Sequence, residues 1–474
     1  MDFGIFNFDL EGLVNFFDQS TLAIIFDLIA VFGWLFFAWL LVFAGLEFYQ
    51  EYRQNKYTKD WKWVVLAIDI PPLNVQTPKA VEQMFAHLAG GFEQPNIADK
   101  YHDGYKQRWF SFEIVSIEGY IQFLVRTEEK FRDLVEASIY AQYPEAEITE
   151  VEDYVDELPK EYPNETHDLW MADFGLEENE AYPIRTYQDF QDKMTKDDTL
   201  KDPMSAFLES FSRIGPGEQM WFQILLEPTS TSWKEKSIKK VKELIGDNSL
   251  KNQSGSKMAD FISSSSLKAI ESIGDQVFGR EAAESSGGED KTGPPNILQY
   301  LTPGQTKLVE AIEEKIGKIG FKVKLRGAYV ARKEVFRTER GVNLMVGAIN
   351  QFNVPSANSI VPSYGVNVSY FFKQQRTSYR KKIMMKAYKK RKLNVGANSF
   401  VLNIEELATL WHFPMSSVKA PLVQKTQAKQ TEPPIGLPVE SVPSPDANDK
   451  TTKESEDFIT DSGELGYGDD MEFG

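Results

Sequence analysis

From Leu28 to Leu46 the chain runs LIAVFGWLFFAWLLVFAGL without a charge, and Leu22 to Phe26 extends the apolar stretch upstream. Together these exceed the roughly 20 residues needed to cross a bilayer core. A transmembrane helix is therefore predicted over residues 22–48, with Asp27 near the outer interface and residues 1–21 outside the cytoplasm. Arg53, Lys56, Lys59 and Lys62 follow the run, whereas its upstream flank holds Asp2, Asp9, Glu11 and Asp18 and no Lys or Arg. That bias predicts a single-pass protein with its bulk in the cytoplasm. A cleaved signal peptide would need a basic leader and a shorter apolar core, which do not match. Phe3, Phe6, Phe8, Leu13, Phe16 and Phe17 make the first stretch aromatic; it reads either as lying along the outer interface or as a plain cap.

Beyond the helix the periods change. Trp63–Ile70 is a short apolar run stopped by Pro71-Pro72, which suits a buried strand. Thr77-Pro78 opens a helix with Val81, Met84, Phe85 and Leu88 on one face, ended by Gly90-Gly91. Phe110, Phe112 and Ile114 alternate, as do Ile121, Phe123 and Val125 after a Glu118-Gly119 hairpin turn. Thr127 is expected to cap a second helix carrying Phe131, Leu134, Val135 and Ile139, and AEITEVEDY reads as a last strand. The order β-α-β-β-α-β over residues 61–155 predicts a ferredoxin-like sandwich.

Residues 166–355 echo that order more loosely. DLWMADFGL, AYPIRTY, EQMWFQILLEP and FKVKLRGAYVA read as strands. Pro203–Ile214, Trp233–Ile245, Gly304–Ile319 and Val335–Phe352 read as helices. The expected fold class is α+β: one transmembrane helix, then two ferredoxin-like α/β sandwiches. A Ser-, Gly- and Pro-rich insertion, 247–299, interrupts the second, and internal duplication is suspected. Residues 439–474 read as a disordered acidic tail.

Composition then narrows the chemistry. The net charge of −18 over 474 residues argues against a general nucleic-acid coat. With no cysteine in the chain, disulfides, thiolate metal sites and cysteine nucleophiles are excluded. The nearest approach to a phosphate-binding loop, Gly287-Gly288-Glu289-Asp290-Lys291-Thr292, has acidic residues where glycine must stand, so nucleotide hydrolysis is not expected. His87, His102, His167 and His412 show no metal-ligand spacing. No catalytic residue, metal or cofactor site is predicted.

The charge is unevenly spread. Within residues 356–398, Lys373–Lys392 contains Arg376, Arg380, Lys381, Lys382, Lys386, Lys389, Lys390, Arg391 and Lys392 and no acidic residue, with Tyr379 and Tyr388 interleaved. Such a run binds phosphates of DNA or of anionic lipid; it reads equally as a solvated helix or as a partner for the acidic tail.

Residues 399–438 carry a more specific pattern. Leu402–Pro414 reads LNIEELATLWHFP, followed by Val418–Pro421 and a Pro433–Pro438 exit. This resembles the stretch ahead of the motor in membrane-anchored type IV secretion and conjugative DNA-transfer ATPases of the HerA/TraG-like class, of candidate-phyla and Gram-positive type. TPKAVEQMFAHLAG, IYAQYPEAEI and FKVKLRGAYVARKEVF add to the likeness, which spans about residues 20–438. The departure is that an acidic tail stands where those proteins place their motor. The resemblance implies a non-catalytic scaffold that positions a separate P-loop ATPase, with a homo-oligomeric ring as its expected form. Leu407, Leu410, Trp411, His412, Pro414, Pro433 and Pro434 are its expected docking residues; docking of that short helix onto the chain's own second domain is the competing reading. The rival function is a single-pass protein that binds nucleic acid or anionic lipid through the basic run without a motor.

Overall fold

The computed structural model describes residues 2–3, 6–7, 21–71, 74–159, 161–190, 201–245 and 302–415, with side chains from residue 33 onward. The expected insertion, the acidic tail, Val418–Pro421 and Pro433–Pro438 lie outside the described residues, as does most of segment 1–21.

Helix α1 (Thr21–Tyr57) carries the apolar run. Its portion Gly33–Tyr57 is by itself long and apolar enough to cross a membrane, and the apolar stretch within it is not buried against the rest of the chain. Its foot packs directly on the globular part. Arg53 donates to the carbonyl of His102, and the Tyr57 ring lies 5.8 Å from both Trp61 and Tyr105. Gly104 sits at φ 72° against the Arg53 backbone, where any Cβ would overlap it. Glycine is needed there for the turn and for the approach of the helix.

Among the described residues nine antiparallel strands form one sheet: β1 (Trp63–Asp69), β2 (Phe110–Ile117), β3 (Tyr120–Glu128), β4 (Glu147–Val151), β5 (His167–Leu176), β6 (Glu218–Pro228), β7 (Gly320–Arg332), β8 (Ile360–Gly365) and β9 (Phe400–Asn403). The order is β8-β5-β7-β6-β2-β3-β1-β4, with β9 pairing the first residues of β7. Numbered within each half, the strands run 4-1-3-2 in β5–β8 and 2-3-1-4 in β1–β4, so the order is a palindrome about the β2–β6 pair. That pair, from Phe110↔Leu226 to Ile117↔Gln219, joins two halves that the sequence reads as separate sandwiches. Each half would otherwise leave an open edge of unpaired backbone groups at this point.

Helices α2 (Pro78–Leu88), α3 (Arg132–Tyr140), α4 (Pro203–Ser212), α7 (Thr338–Asn350) and α9 (Ile404–Leu410) contribute to the main apolar core. Strand residues such as Phe112, Ile114, Phe222, Ile224 and Leu325 meet them on one sheet face. Helices α5 (Ser232–Ile245) and α6 (Pro303–Gly317) flank the predicted insertion and close a smaller core of Trp233, Val241, Val309, Ile312 and Ile316.

Local expectations fail at four places. AYPIRTY is not a strand but a turn leading into a short 3-10 helix, Tyr187–Phe190. Its backbone N–H groups are taken up outside any ladder: Ile184 donates to the Glu406 side chain, Tyr187 to that of Thr409 and Arg185 to the Phe352 carbonyl. Thr127 does not cap α3; it lies in β3, which pairs with β1 through Glu128. Strands β8 and β9 were not anticipated, because each is short and takes its place only by pairing with β5 and β7.

Candidate functional site

The second sheet face is not a solvent face. A polar row crosses its middle: Glu113, Gln223, Arg326 and Asp173 stand directly opposite one another on β2, β6, β7 and β5. All four are essentially unexposed. What covers them is the basic run, folded as helix α8 (Lys373–Lys389). Met384, Met385 and Tyr388 pack down onto the sheet, with the Tyr388 and Trp221 ring centroids 5.2 Å apart.

Arg391, one residue past the helix cap, enters this layer and is 0% exposed. Its Nε lies 2.9 Å from Glu113 Oε1 and its Nη2 3.0 Å from Oε2, a two-pronged pair, and it also binds Asp153. Tyr154 and Gln223 donate to the same carboxylate at 2.8 and 2.9 Å. Burial alone would raise the Glu113 carboxyl; the charge and hydrogen bonds of Arg391, with those of Ser111 and Tyr154, outweigh it and hold the group below its ordinary value.

A second cluster anchors the segment after α8. Arg326 Nε is 2.9 Å from Asp173, and Lys324 Nζ is within 2.6–2.8 Å of the carbonyls of Leu393, Val395 and Ala397. Burial pushes the Lys324 ammonium down to about 8, against the pull of Asp173. Gly396, at φ 95°, lies where a Cβ would overlap the Asp173 carboxylate. These cations saturate carbonyls that no ladder reaches, which is how an irregular segment can be buried.

The nine predicted phosphate-binding residues therefore divide. Arg391 and Lys381 are buried, the latter paired with Asp168, and Lys389 is bound to the carbonyls of Val155 and Leu158. Arg380 donates to the Gly365 carbonyl at 3.0 Å and lies over the Tyr364 ring. Lys382 is exposed and pairs with Glu161. Arg376, Lys386, Lys390 and Lys392 are exposed. As one continuous phosphate-binding surface the run does not exist, because a single stripe of it faces the sheet.

The expected docking residues are corrected more sharply. Leu407, Leu410, Trp411 and His412 are all 0% exposed. Trp411 sits among the rings of Phe112, Phe123 and Phe413 at centroid distances of 4.9, 5.6 and 4.9 Å. They present no apolar face to a partner because β9 adds to β7 and turns α9 into the core. Asn403 caps that helix reciprocally with Glu406, whose carboxylate also holds Lys315 at 3.1 Å. His412 Nε2 is 2.8 Å from Asp202, the N-cap of α4, and its Nδ1 is 2.7 Å from the Ala408 carbonyl. Pro414 is half-buried, and its carbonyl accepts from Asn74; Pro433 and Pro434 lie outside the described residues.

Sequence reasoning missed the buried row of Glu113, Gln223, Arg326 and Asp173. Its signal was present in the stripe Lys381, Met384, Met385 and Tyr388, which is helical spacing for a face that must be covered. It also missed the exposed aromatics Tyr370, Phe371 and Phe372 just ahead of α8. Among the described residues no group of three or more His, Asp and Glu is placed to hold a metal ion.

The sequence model of a family described as a domain of unknown function, DUF8128, matches residues 99–426 of the chain. Comparison with curated proteins finds no match.

Proposed function

The chain belongs to the DUF8128 family of domains of unknown function, and from that premise we propose that it is a membrane-anchored, non-catalytic platform that positions a separate P-loop ATPase in a type IV secretion or DNA-transfer-like machine. The observation that carries this reading is mechanical. The apolar helix α1 packs directly on the sheet domain through Arg53, Tyr57 and Gly104, and the last core element of that domain is the Leu402–Phe413 motif. Whatever is coupled to the chain leaving at Met415 is thereby coupled to the anchor through a continuous packed core, which suits a part that fixes position. The resemblance of Leu402–Pro414 to the pre-motor segment of HerA/TraG-like proteins supports the narrower assignment.

On this reading the docking surface for the ATPase is not the buried face of α9, and the Pro-rich segment beyond Met415 takes that place. Each half of the sheet, with its 4-1-3-2 strand order, is a ferredoxin-like unit, and the chain is an internal duplication fused edge to edge. The orientation follows from the Lys/Arg bias: the N-terminus is outside and the sheet domain is cytoplasmic.

Two measurements test this. The native protein, purified from its own membranes in mild detergent, is expected to bring a stoichiometric P-loop ATPase, identified by mass spectrometry. Recovery alone, or with other envelope proteins only, overturns the platform reading. Because the chain has no cysteine, single variants Ser20→Cys and Lys62→Cys report topology with a membrane-impermeant maleimide on intact cells. Labelling of Ser20→Cys and protection of Lys62→Cys are expected; the reverse pattern overturns the orientation.

A further inference from the structure

We propose that the N-terminal end of α8 is a binding site for single-stranded nucleic acid. Tyr370, Phe371, Phe372 and Tyr379 are its stacking surfaces, and Lys373 and Arg376 its phosphate partners. The proposal does not depend on the ATPase reading.

Phe371 is 86% exposed, Phe372 72%, Tyr379 65% and Tyr370 52%. Four large rings within ten residues, all facing solvent beside a core that buries most of its other aromatics, form a patch and not scattered exposure. Phe372, Arg376 and Tyr379 are spaced four and three apart, which puts them on one side of the first turns of α8. The Arg376 guanidinium lies over the Tyr370 ring at 5.0 Å, so charge and ring already stand together. Phe372 holds φ 59°, a left-handed backbone that is unfavourable for a phenylalanine. In that conformation the chain turns into α8 while leaving both Phe371 and Phe372 outside the core. Arg380, bound to the Gly365 carbonyl and to the Tyr364 ring, fixes this turn to the edge of the sheet.

The charge pattern selects the partner. No acidic residue occurs from Lys373 to Lys392, and the ridge offers cations interleaved with flat apolar rings. Bases present their faces to rings only when unpaired, while their phosphates seek cations; a duplex offers the phosphates without the faces.

The start of α8 lies at the outer edge of the sheet, where Arg380 reaches the Gly365 carbonyl opposite Ala172, and the helix then crosses the strands to Trp221 on β6.

The test uses the full-length protein in nanodiscs of neutral lipid, with fluorescein-labelled 20-nucleotide oligo-dT and a duplex of equal length read by fluorescence anisotropy at low and moderate salt. Salt-sensitive binding of the single strand, stronger than that of the duplex, is expected. The double variant Phe371→Ala/Phe372→Ala is expected to weaken it about tenfold or more. Lys373→Gln/Arg376→Gln is expected to weaken it and to flatten the salt dependence. All four side chains are exposed, so both variants should keep the parent thermal midpoint. Absence of binding overturns the proposal. So does equal binding of the duplex with no loss in the Phe variant, which would mean charge alone. A Phe variant that changes the oligomeric state of the protein without changing oligo-dT binding assigns the ridge to a second copy of the chain and also overturns it.

Discussion

Replacing Arg391 by Met is expected to lower folding stability by about 3–5 kcal/mol at neutral pH, because it leaves the Glu113 carboxylate buried without its partner. The effect follows from the geometry of the pair. Arg391 meets both Glu113 oxygens and Asp153 with no exposed surface of its own, so no water can replace the lost guanidinium without opening the contact between α8 and the sheet. The pH dependence identifies the cause. In the parent protein the Glu113 carboxyl is held below its ordinary value. Its contribution is therefore present above the unfolded carboxylate pKa, about 4.3, and is lost as pH falls through the folded value. In the Met variant the Ser111 and Tyr154 hydrogen bonds remain but the guanidinium is gone, so burial weighs more heavily, raises that carboxyl and makes protonation less costly to the folded state. The gap between parent and variant should narrow as pH falls toward 4, read as denaturant midpoints across a pH series. Adding Glu113→Gln to Arg391→Met should recover part of the loss, since the uncompensated charge is then gone. A loss that stays constant with pH and is not relieved by Glu113→Gln would show that packing of α8, not the ion pair, sets the cost.

Trp411→Ala is expected to destabilise by about 3–5 kcal/mol, the usual range for removing a large aromatic from a well-packed core. The indole lies against Phe85, Phe112, Phe123 and Phe413 in mostly edge-on contacts, and few side chains could collapse into so large a gap. Its Nε1 has no hydrogen-bond acceptor among the described residues, so Trp411→Phe forfeits no such bond and should cost clearly less than the alanine variant. This pair separates two roles. A residue that docks a partner would leave the thermal midpoint unchanged and abolish partner recovery. Trp411 should instead lower the midpoint in proportion to the volume removed, whether or not a partner is present.

Both expectations concern residues whose type was legible and whose role was not. Lys373–Lys392 was recognisable as a basic run, and Arg376, Lys382, Lys386, Lys390 and Lys392 in it are exposed. The rest was not legible because a one-dimensional charge count does not say which stripe of a helix is covered. Lys381, Met384, Met385 and Tyr388 lie at positions that face the sheet, and Arg391 then finds Glu113, a residue 278 positions earlier. In the same way LNIEELATLWHFP was recognisable as containing a short helix, which the structure shows capped by Asn403 and Glu406. Its apolar residues were taken for a docking face because β9, the strand that carries the helix inward, is only four residues long.

The sequence by itself determined the elements whose signal is local. The long apolar run, the strands Trp63–Asp69, Phe110–Ile117 and Glu218–Pro228, and the helix opened by Thr77-Pro78 depend on composition and period over neighbouring residues, and those physical causes act at short range. Only the tertiary structure decided that β2 and β6 join two halves into one sheet, that AYPIRTY gives up a strand to serve Glu406 and Thr409, and that a row of charged side chains is interior. Each of those outcomes depends on pairing between segments far apart in the chain. There, satisfying backbone groups and compensating buried charge outweigh local preference.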